Sequence, residues 1–430
     1  MLKRDERGAV LGEVALRNLF LRDQAAGGET VLPTPAYVYD LDAIAAEARA
    51  LRAGFGAARH LCAYAVKACS AGPVVRALVS EGCGADVVSG GELALAMGAG
   101  VDARKLLFSG AAKQSWEIDR AIGAGEGGIL ALQIESVEEI ARVEARAKAL
   151  GKKGRVSIRV NPGVVADTHA HVATGHDEAK FGVSTADLPR AYEALASAKN
   201  LSLVGLSSHV GSQLTKTGEY LAAAEVLLGL GADARKRGHA LELIDFGGGF
   251  GVDYGAGCPV TPADFARAAV KMLAGSELRD LCLVVEPGRS LVAAHGVLVA
   301  SVVGEKRAGD RRWVFLDAGM NDLLRPALYA AHHRIEPLEG ATVPREAKVR
   351  IAGPVCESSD DFGEHDFAIG GALPSHMVIR DAGAYGFTMA SEYNARPLPT
   401  EVFLSGGKVV GTIVPRGVDA WVAERLGGSR

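Results

Sequence analysis

The chain has no CxxC pair, no low-complexity tract, no large excess of charge of either sign, and no unbroken apolar run of the roughly 20 residues that a membrane-spanning helix needs. Each absence removes a class of function. The six cysteines, at positions 62, 69, 83, 258, 282 and 356, are scattered, which argues against a zinc site and against a disulfide scaffold. A formal charge of -4 gives no electrostatic reason to bind nucleic acid or an anionic membrane, so the expected partner is a small molecule. The opening residues Met1 to Arg7 mix both signs and lead into no apolar signal core, and the expectation is a cytoplasmic protein.

What is present is length and apolar content. At 430 residues and 48% hydrophobic composition, the chain can bury a large core and is expected to form two domains. Pro33 and Pro35 follow the polar stretch Gly27-Gly28-Glu29-Thr30 and mark the start of the first. Beyond them, short apolar runs alternate with longer amphipathic ones. Eight runs read as strands: 60–66, 85–88, 105–109, 129–134, 155–160, 203–209, 241–246 and 281–286. Helix-compatible segments lie between them, so eight β-then-α units over residues 33–285 predict a (β/α)8 barrel with reactive groups at the C-terminal strand ends. Past Ser290 the runs become short and β-prone, separated by Gly, Pro and charged turns, which predicts an antiparallel β domain.

On this map the notable residues collect on one rim. Lys67 closes the first strand, His209 the sixth, Gly247-Gly248-Gly249 follows the seventh, and Glu286-Pro287-Gly288-Arg289 the eighth. Desolvation lowers a lysine's pKa toward the nucleophilic amine that forms Schiff bases, although a lone lysine at a strand end also reads as one that reaches to solvent. Barrels commonly bind phosphate in the loops after strands seven and eight; the glycines admit close backbone approach, and Arg289 adds a fixed charge. A triple glycine alone is as consistent with a turn, and His209 alone with a core histidine. Taken together, an imine-forming lysine, an anion cup and a carboxylate able to pair with a pyridine nitrogen suggest pyridoxal 5'-phosphate. The histidines at 169, 171 and 176 form only a weak metal pattern, and a polar loop over the barrel mouth is the expectation there.

Six blocks, in order, carry a closer resemblance: 64–68 (Tyr-Ala-Val-Lys-Ala), 209–213 (His-Val-Gly-Ser-Gln), 247–251 (Gly-Gly-Gly-Phe-Gly), 286–290 (Glu-Pro-Gly-Arg-Ser), 353–358 (Gly-Pro-Val-Cys-Glu-Ser) and 383–386 (Gly-Ala-Tyr-Gly). Their order resembles that of the fold-type III pyridoxal-phosphate decarboxylases, over nearly the whole chain. The motifs are most similar to the branch of that family that converts meso-diaminopimelate to L-lysine and CO2.

The resemblance implies an alanine-racemase-type barrel, a β domain built from residues 1–32 and 286–430, and a homodimer with shared active sites. It makes Lys67 the Schiff-base lysine, His209 the residue stacked on the ring, and Glu286 the pyridinium partner. Asp86 comes near the lysine, with helix capping as the equal alternative. Ser212, Gly247, Gly248, Gly249, Gly288, Arg289 and Tyr385 become cofactor or phosphate contacts. Cys356, from the partner subunit, becomes the acid that returns a proton to Cα. Arg289, Arg325, Tyr329, Glu357 and Tyr385 become substrate contacts, the arginines suited to a distal carboxylate.

Two stretches depart from the family pattern: Ala330-Ala331-His332-His333 after Tyr329, and the acidic continuation 359–365 after Ser358. They leave open a decarboxylase for another amino acid. Racemisation would call for an uncharged or cationic ring partner, against Glu286, and a non-enzymatic pyridoxal-phosphate carrier leaves the β domain without a purpose.

Overall fold

The computed structural model describes residues 1–21, 31–164, 180–340, 348–366 and 373–427. Histidines 169, 171 and 176 lie outside them. The chain divides into two compact units, Ala45–Val252 with Cys258–Ser290, and Met1–Ile44 with Asp253–Gly257 and Leu291–Arg430.

The first unit is a closed parallel barrel. Its strands are β1 (His60–Ala65), β2 (Gly84–Val87), β3 (Leu106–Phe108), β4 (Ala131–Ile134), β5 (Gly154–Asn161), β6 (Leu201–Ser207), β7 (Leu243–Gly248) and β8 (Cys282–Glu286). Each pairs with the next, β8 pairs with β1, and β4 with β5 completes the ring. All eight expected strands are present. The helices between them start on ordinary caps: Ser89 and Ser136 each accept an amide N–H of the following turn, and Thr261 does so ahead of Pro262.

Side chains alternate across a strand, so the barrel interior fills in layers. One layer is apolar, with Leu61, Ala63, Leu107, Ala131, Val204, Leu243 and Val284 clustered together. Two residues further along β4, β7 and β8 the inward positions hold Gln133, Asp245 and Glu286, all buried. The layer nearest the C-terminal strand ends is therefore polar, and that change in chemistry positions the site.

The second unit is built on a mostly antiparallel sheet, in the order Asp361–Asp366, Lys348–Ala352, Arg311–Leu316, Gly296–Ala308, Ala36–Asp40, Thr400–Ser405, Lys408–Ile413. Two pairings in it are parallel, Arg311–Leu316 with Lys348–Ala352 and Thr400–Ser405 with Ala36–Asp40. Thr400–Ser405 and Lys408–Ile413 form a hairpin, because Gly406 and Gly407 both adopt positive φ and turn the chain back. One sheet face packs Ala36, Val38, Val297, Val299, Val402 and Leu404 against Leu2, Leu11, Leu16 and Phe20 of the N-terminal segment. Burying each large aliphatic or aromatic side chain there contributes about 1.5–3 kcal/mol.

Candidate functional site

In the barrel unit, β1 ends at Ala65 and Lys67 sits in a single 3-10 turn, Val66–Ala68, rather than on the strand itself. The Ala65 N–H donates to the Pro287 carbonyl at 2.9 Å, which ties this turn to the loop after β8. Gly288 completes the contact: a Cβ there would lie 3.1 Å from the Ala65 Cβ and 3.2 Å from the Ala68 Cβ.

Lys67 Nζ donates to Asp86 Oδ2 at 2.7 Å; the lysine side chain is 37% exposed and the aspartate wholly buried. Ser109 Oγ donates to the other oxygen of Asp86. The helix after β2 is capped by Ser89, so the Asp86 carboxylate is turned to the lysine and not to the helix. A buried carboxylate with a cation on one oxygen and a hydroxyl on the other is fixed in direction.

The loops after β6 and β7 are locked together by two bonds, Leu214 N–H to the Gly249 carbonyl at 2.8 Å and Gly251 N–H to the Leu214 carbonyl at 2.9 Å. Gly247 and Gly249 have φ of +71° and +91°. A Cβ at 247 would stand 2.2 Å from the Ser208 carbonyl oxygen, at 248 1.9 Å from that of Glu286, and at 249 2.2 Å from that of Gly211. No side chain fits at any of the three. Arg289 Nη2 donates to Ser212 Oγ at 3.1 Å, placing a guanidinium and a hydroxyl together at the adjoining loops.

His209 Nδ1 accepts the Gly248 N–H at 3.3 Å and lies 3.9 Å from Glu286 Oε2. Since that nitrogen is an acceptor, the contact with Glu286 is not an ion pair. Burial, with Arg159 and Lys67 nearby, holds the imidazole pKa well below its ordinary value and keeps the ring neutral. Glu286 is pushed the other way, well above the usual carboxylate range, first by burial and then by the Asp245 and Asp86 charges.

Sequence reasoning missed the floor of this site. Gln133 Nε2 lies 3.2 Å from both Asp245 Oδ2 and Glu286 Oε1, and its carbonyl accepts the Ser207 hydroxyl. Asp245 Oδ1 accepts the Gly247 N–H at 2.9 Å. The signal was available: a glutamine in Leu130-Ala131-Leu132-Gln133-Ile134 and an aspartate in Leu243-Ile244-Asp245-Phe246 interrupt otherwise apolar strands.

In the sheet unit, Cys356 is exposed on a loop, and its N–H donates to Asn394 Oδ1 at 3.0 Å. Glu357 accepts the Tyr393 hydroxyl at 2.6 Å. Beneath them Asp360, also missed, is buried and accepts the N–H groups of Val355 and Met320, each at 2.6 Å. Arg325 is buried at the start of the short helix Arg325–Tyr329, stacks 4.7 Å over the Tyr254 ring, and donates to His333 Nε2 at 2.7 Å. His333 Nδ1 in turn donates to the Arg380 carbonyl at 2.9 Å, since its other nitrogen must accept from a guanidinium. Tyr329 is partly buried at the end of that helix, and Tyr385, also partly buried, has φ +55°.

A barrel with a reactive lysine over its mouth, held by a carboxylate, belongs with enzymes that work through an amine and a carbonyl cofactor. This chain is a member of the pyridoxal-dependent decarboxylases, whose pyridoxal-binding domain matches residues 41–293. It is 41% identical to a diaminopimelate decarboxylase of Zymomonas mobilis over 87% of this chain and 88% of that protein. The crystal structure of diaminopimelate decarboxylase from Helicobacter pylori with L-lysine superposes with a TM-score of 0.84 at 35% identity, covering 92% of this chain and 98% of that one. The M. jannaschii enzyme in complex with L-lysine gives 0.86 at 31% identity, covering 99% and 97%. The cofactor fits the residues present: the Ser212 hydroxyl and the Arg289 guanidinium stand together beside a bare backbone cradle, Gly247 to Gly249, that admits no side chain.

Proposed function

We propose that the protein decarboxylates meso-diaminopimelate to L-lysine as a homodimer in the cytoplasm. The observation that carries the substrate assignment is the identity of about two residues in five with diaminopimelate decarboxylases over 87% of the chain. Among the described residues no helix is long and apolar enough to cross a membrane.

Bound pyridoxal phosphate supplies an aldehyde for the Lys67 amine and, with its ring nitrogen protonated, an acceptor for the electrons released when CO2 leaves. The residues of the chain do the rest. Asp86 orients the Lys67 nitrogen and is placed to take up its proton. Glu286 holds a proton at the ring nitrogen, and the neutral His209 offers a flat face without competing for that charge. Gly247 to Gly249, Ser212 and Arg289 hold the phosphate; Gly288 lets the loop after β8 close on the lysine turn. Cys356 protonates Cα. Arg289, Arg325, Tyr329 and Tyr385 bind carboxylate groups, and Glu357 binds the distal ammonium.

Carbon dioxide release from meso-diaminopimelate, lysine, ornithine and arginine tests the reading; turnover confined to the first is expected. A second reading, another amino acid as substrate, is favoured by one observation. His332 and His365, each in a stretch that departs from the family pattern, stack with centroids 5.4 Å apart. Turnover of another amino acid alone would select it. For the shared site, mixing inactive Lys67→Ala and Cys356→Ala chains should restore activity in mixed dimers, and no recovery would remove it.

A further inference from the structure

Asp245 and Glu286 share one water-excluded layer of the barrel and one donor, the Gln133 amide, 3.2 Å from each. Gln133 is itself buried, and the Ser207 hydroxyl occupies its carbonyl, so the NH2 end faces the two acids. Two carboxylates this close in low dielectric do not both ionise. The donors decide where the proton goes. Asp245 receives two, Gln133 and the Gly247 N–H. Glu286 receives the amide and shares a side-chain hydrogen bond with Asp245, and the nearest nitrogen of His209 already accepts from Gly248.

We propose that, without cofactor, Asp245 and Glu286 together hold one proton, that it resides on Glu286, and that Asp245 and Gln133 are the positioning residues that keep it there. The inference rests on the cofactor reading of this site. When the cofactor binds, the Glu286 O–H bond breaks. The proton forms the N–H bond of an unprotonated ring nitrogen, or leaves to solvent when the ring arrives already protonated. Either way Glu286 ends as a carboxylate beside a pyridinium, and Asp245 stays ionised. The directions of the pKa shifts agree: burial and the Asp245 charge push Glu286 well up, whereas Asp245, raised chiefly by burial, is drawn back down by its bonds from Gly247 and Gln133. The other charged or titratable groups toward this pair are Lys67, Asp86, His209, Tyr220 and Cys282. His209 and Tyr220 are held neutral by burial, and the Lys67 and Asp86 charges offset one another.

Infrared difference spectra of the full-length chain stripped of cofactor, at pH 7, test this. Buried Asp322 and Glu401, each pushed up to about 7 by desolvation, carry carboxyl bands of their own, so each variant is subtracted from wild type. A protonated-carboxyl band lost in Glu286→Gln and lost equally in Asp245→Asn is the expected result. A band unchanged in Glu286→Gln overturns the assignment, and one lost there but kept in Asp245→Asn overturns the part given to Asp245. Calorimetry in buffers of different ionisation enthalpy gives a second measure: Asp245→Asn should take up about one proton more than wild type on binding pyridoxal phosphate, and an equal count overturns the part given to Asp245. Because the band is read without cofactor, a chain that takes up no pyridoxal phosphate refutes the cofactor reading and leaves the band to decide the proton.

Discussion

Asp360 is the post on which the Cys356 loop stands, and replacing it separates the loop's support from the cysteine itself. Its carboxylate accepts the N–H of Val355, the residue before Cys356, and that of Met320, both at 2.6 Å, and its own carbonyl accepts the Gly353 N–H at 3.3 Å. Asp360→Ala leaves the main-chain bond and removes both side-chain bonds. Hydrogen bonds to a charged group contribute about 1.5–3 kcal/mol each, a gross loss of about 3–6 kcal/mol. Relief from burying the carboxylate, whose pKa desolvation raises, offsets part of this, for a net loss of about 2–4 kcal/mol. For a unit of this size, a loss of 3 kcal/mol lowers Tm by about 6–12 °C. Asp360→Asn keeps one acceptor and points an amide donor at the other N–H, so its loss should fall between wild type and Asp360→Ala. Calorimetry measures stability, and steady-state decarboxylation should show kcat falling while pyridoxal-phosphate affinity holds. An Asp360→Ala protein within 0.5 kcal/mol of wild type would refute the claim that this carboxylate carries the loop.

Gly248→Ala drives a methyl against the Glu286 carbonyl and should lower pyridoxal-phosphate affinity at least tenfold by fluorescence titration; unchanged affinity would mean that the cradle is not the anion site. Lys67→Ala should abolish the imine absorbance band of the reconstituted protein, and persistence of the band would assign the imine to another amine. Burial pushes Glu401 up to about 7, so its contribution to stability is full below the unfolded pKa near 4.5 and is lost as pH rises through 7. Glu401→Gln should flatten that decline by about 3 kcal/mol between pH 4 and pH 8, as read from urea midpoints; parallel profiles for the two proteins would contradict it.

The barrel was legible because its strands are apolar runs whose pattern is local, and one strand's worth of sequence suffices to see each of them. Lys67 was legible as the residue at the strand end but not as the middle of a 3-10 turn, a conformation held by the Ala65 bond to Pro287 on the far side of the sequence. Gln133 and Asp245 escaped notice because a polar residue in a strand normally reads as facing out, and only barrel closure turns them inward. Asp360 escaped because its partners are main-chain N–H groups, which leave no trace in a sequence. The pairing of Ala36–Asp40 between Gly296–Ala308 and Thr400–Ser405 was likewise invisible, since strand partners so far apart in the chain are chosen by tertiary structure alone.

That last pairing has a consequence for biosynthesis. The strand Ala36–Asp40 is made before any strand of the barrel and waits for its neighbours Gly296–Ala308 and Thr400–Ser405, whereas every strand of the barrel has been made by Glu286. The nascent chain must therefore carry an unzipped β-edge while the whole barrel is made, and a message cut short after residue 290 would leave that edge permanently open to other chains.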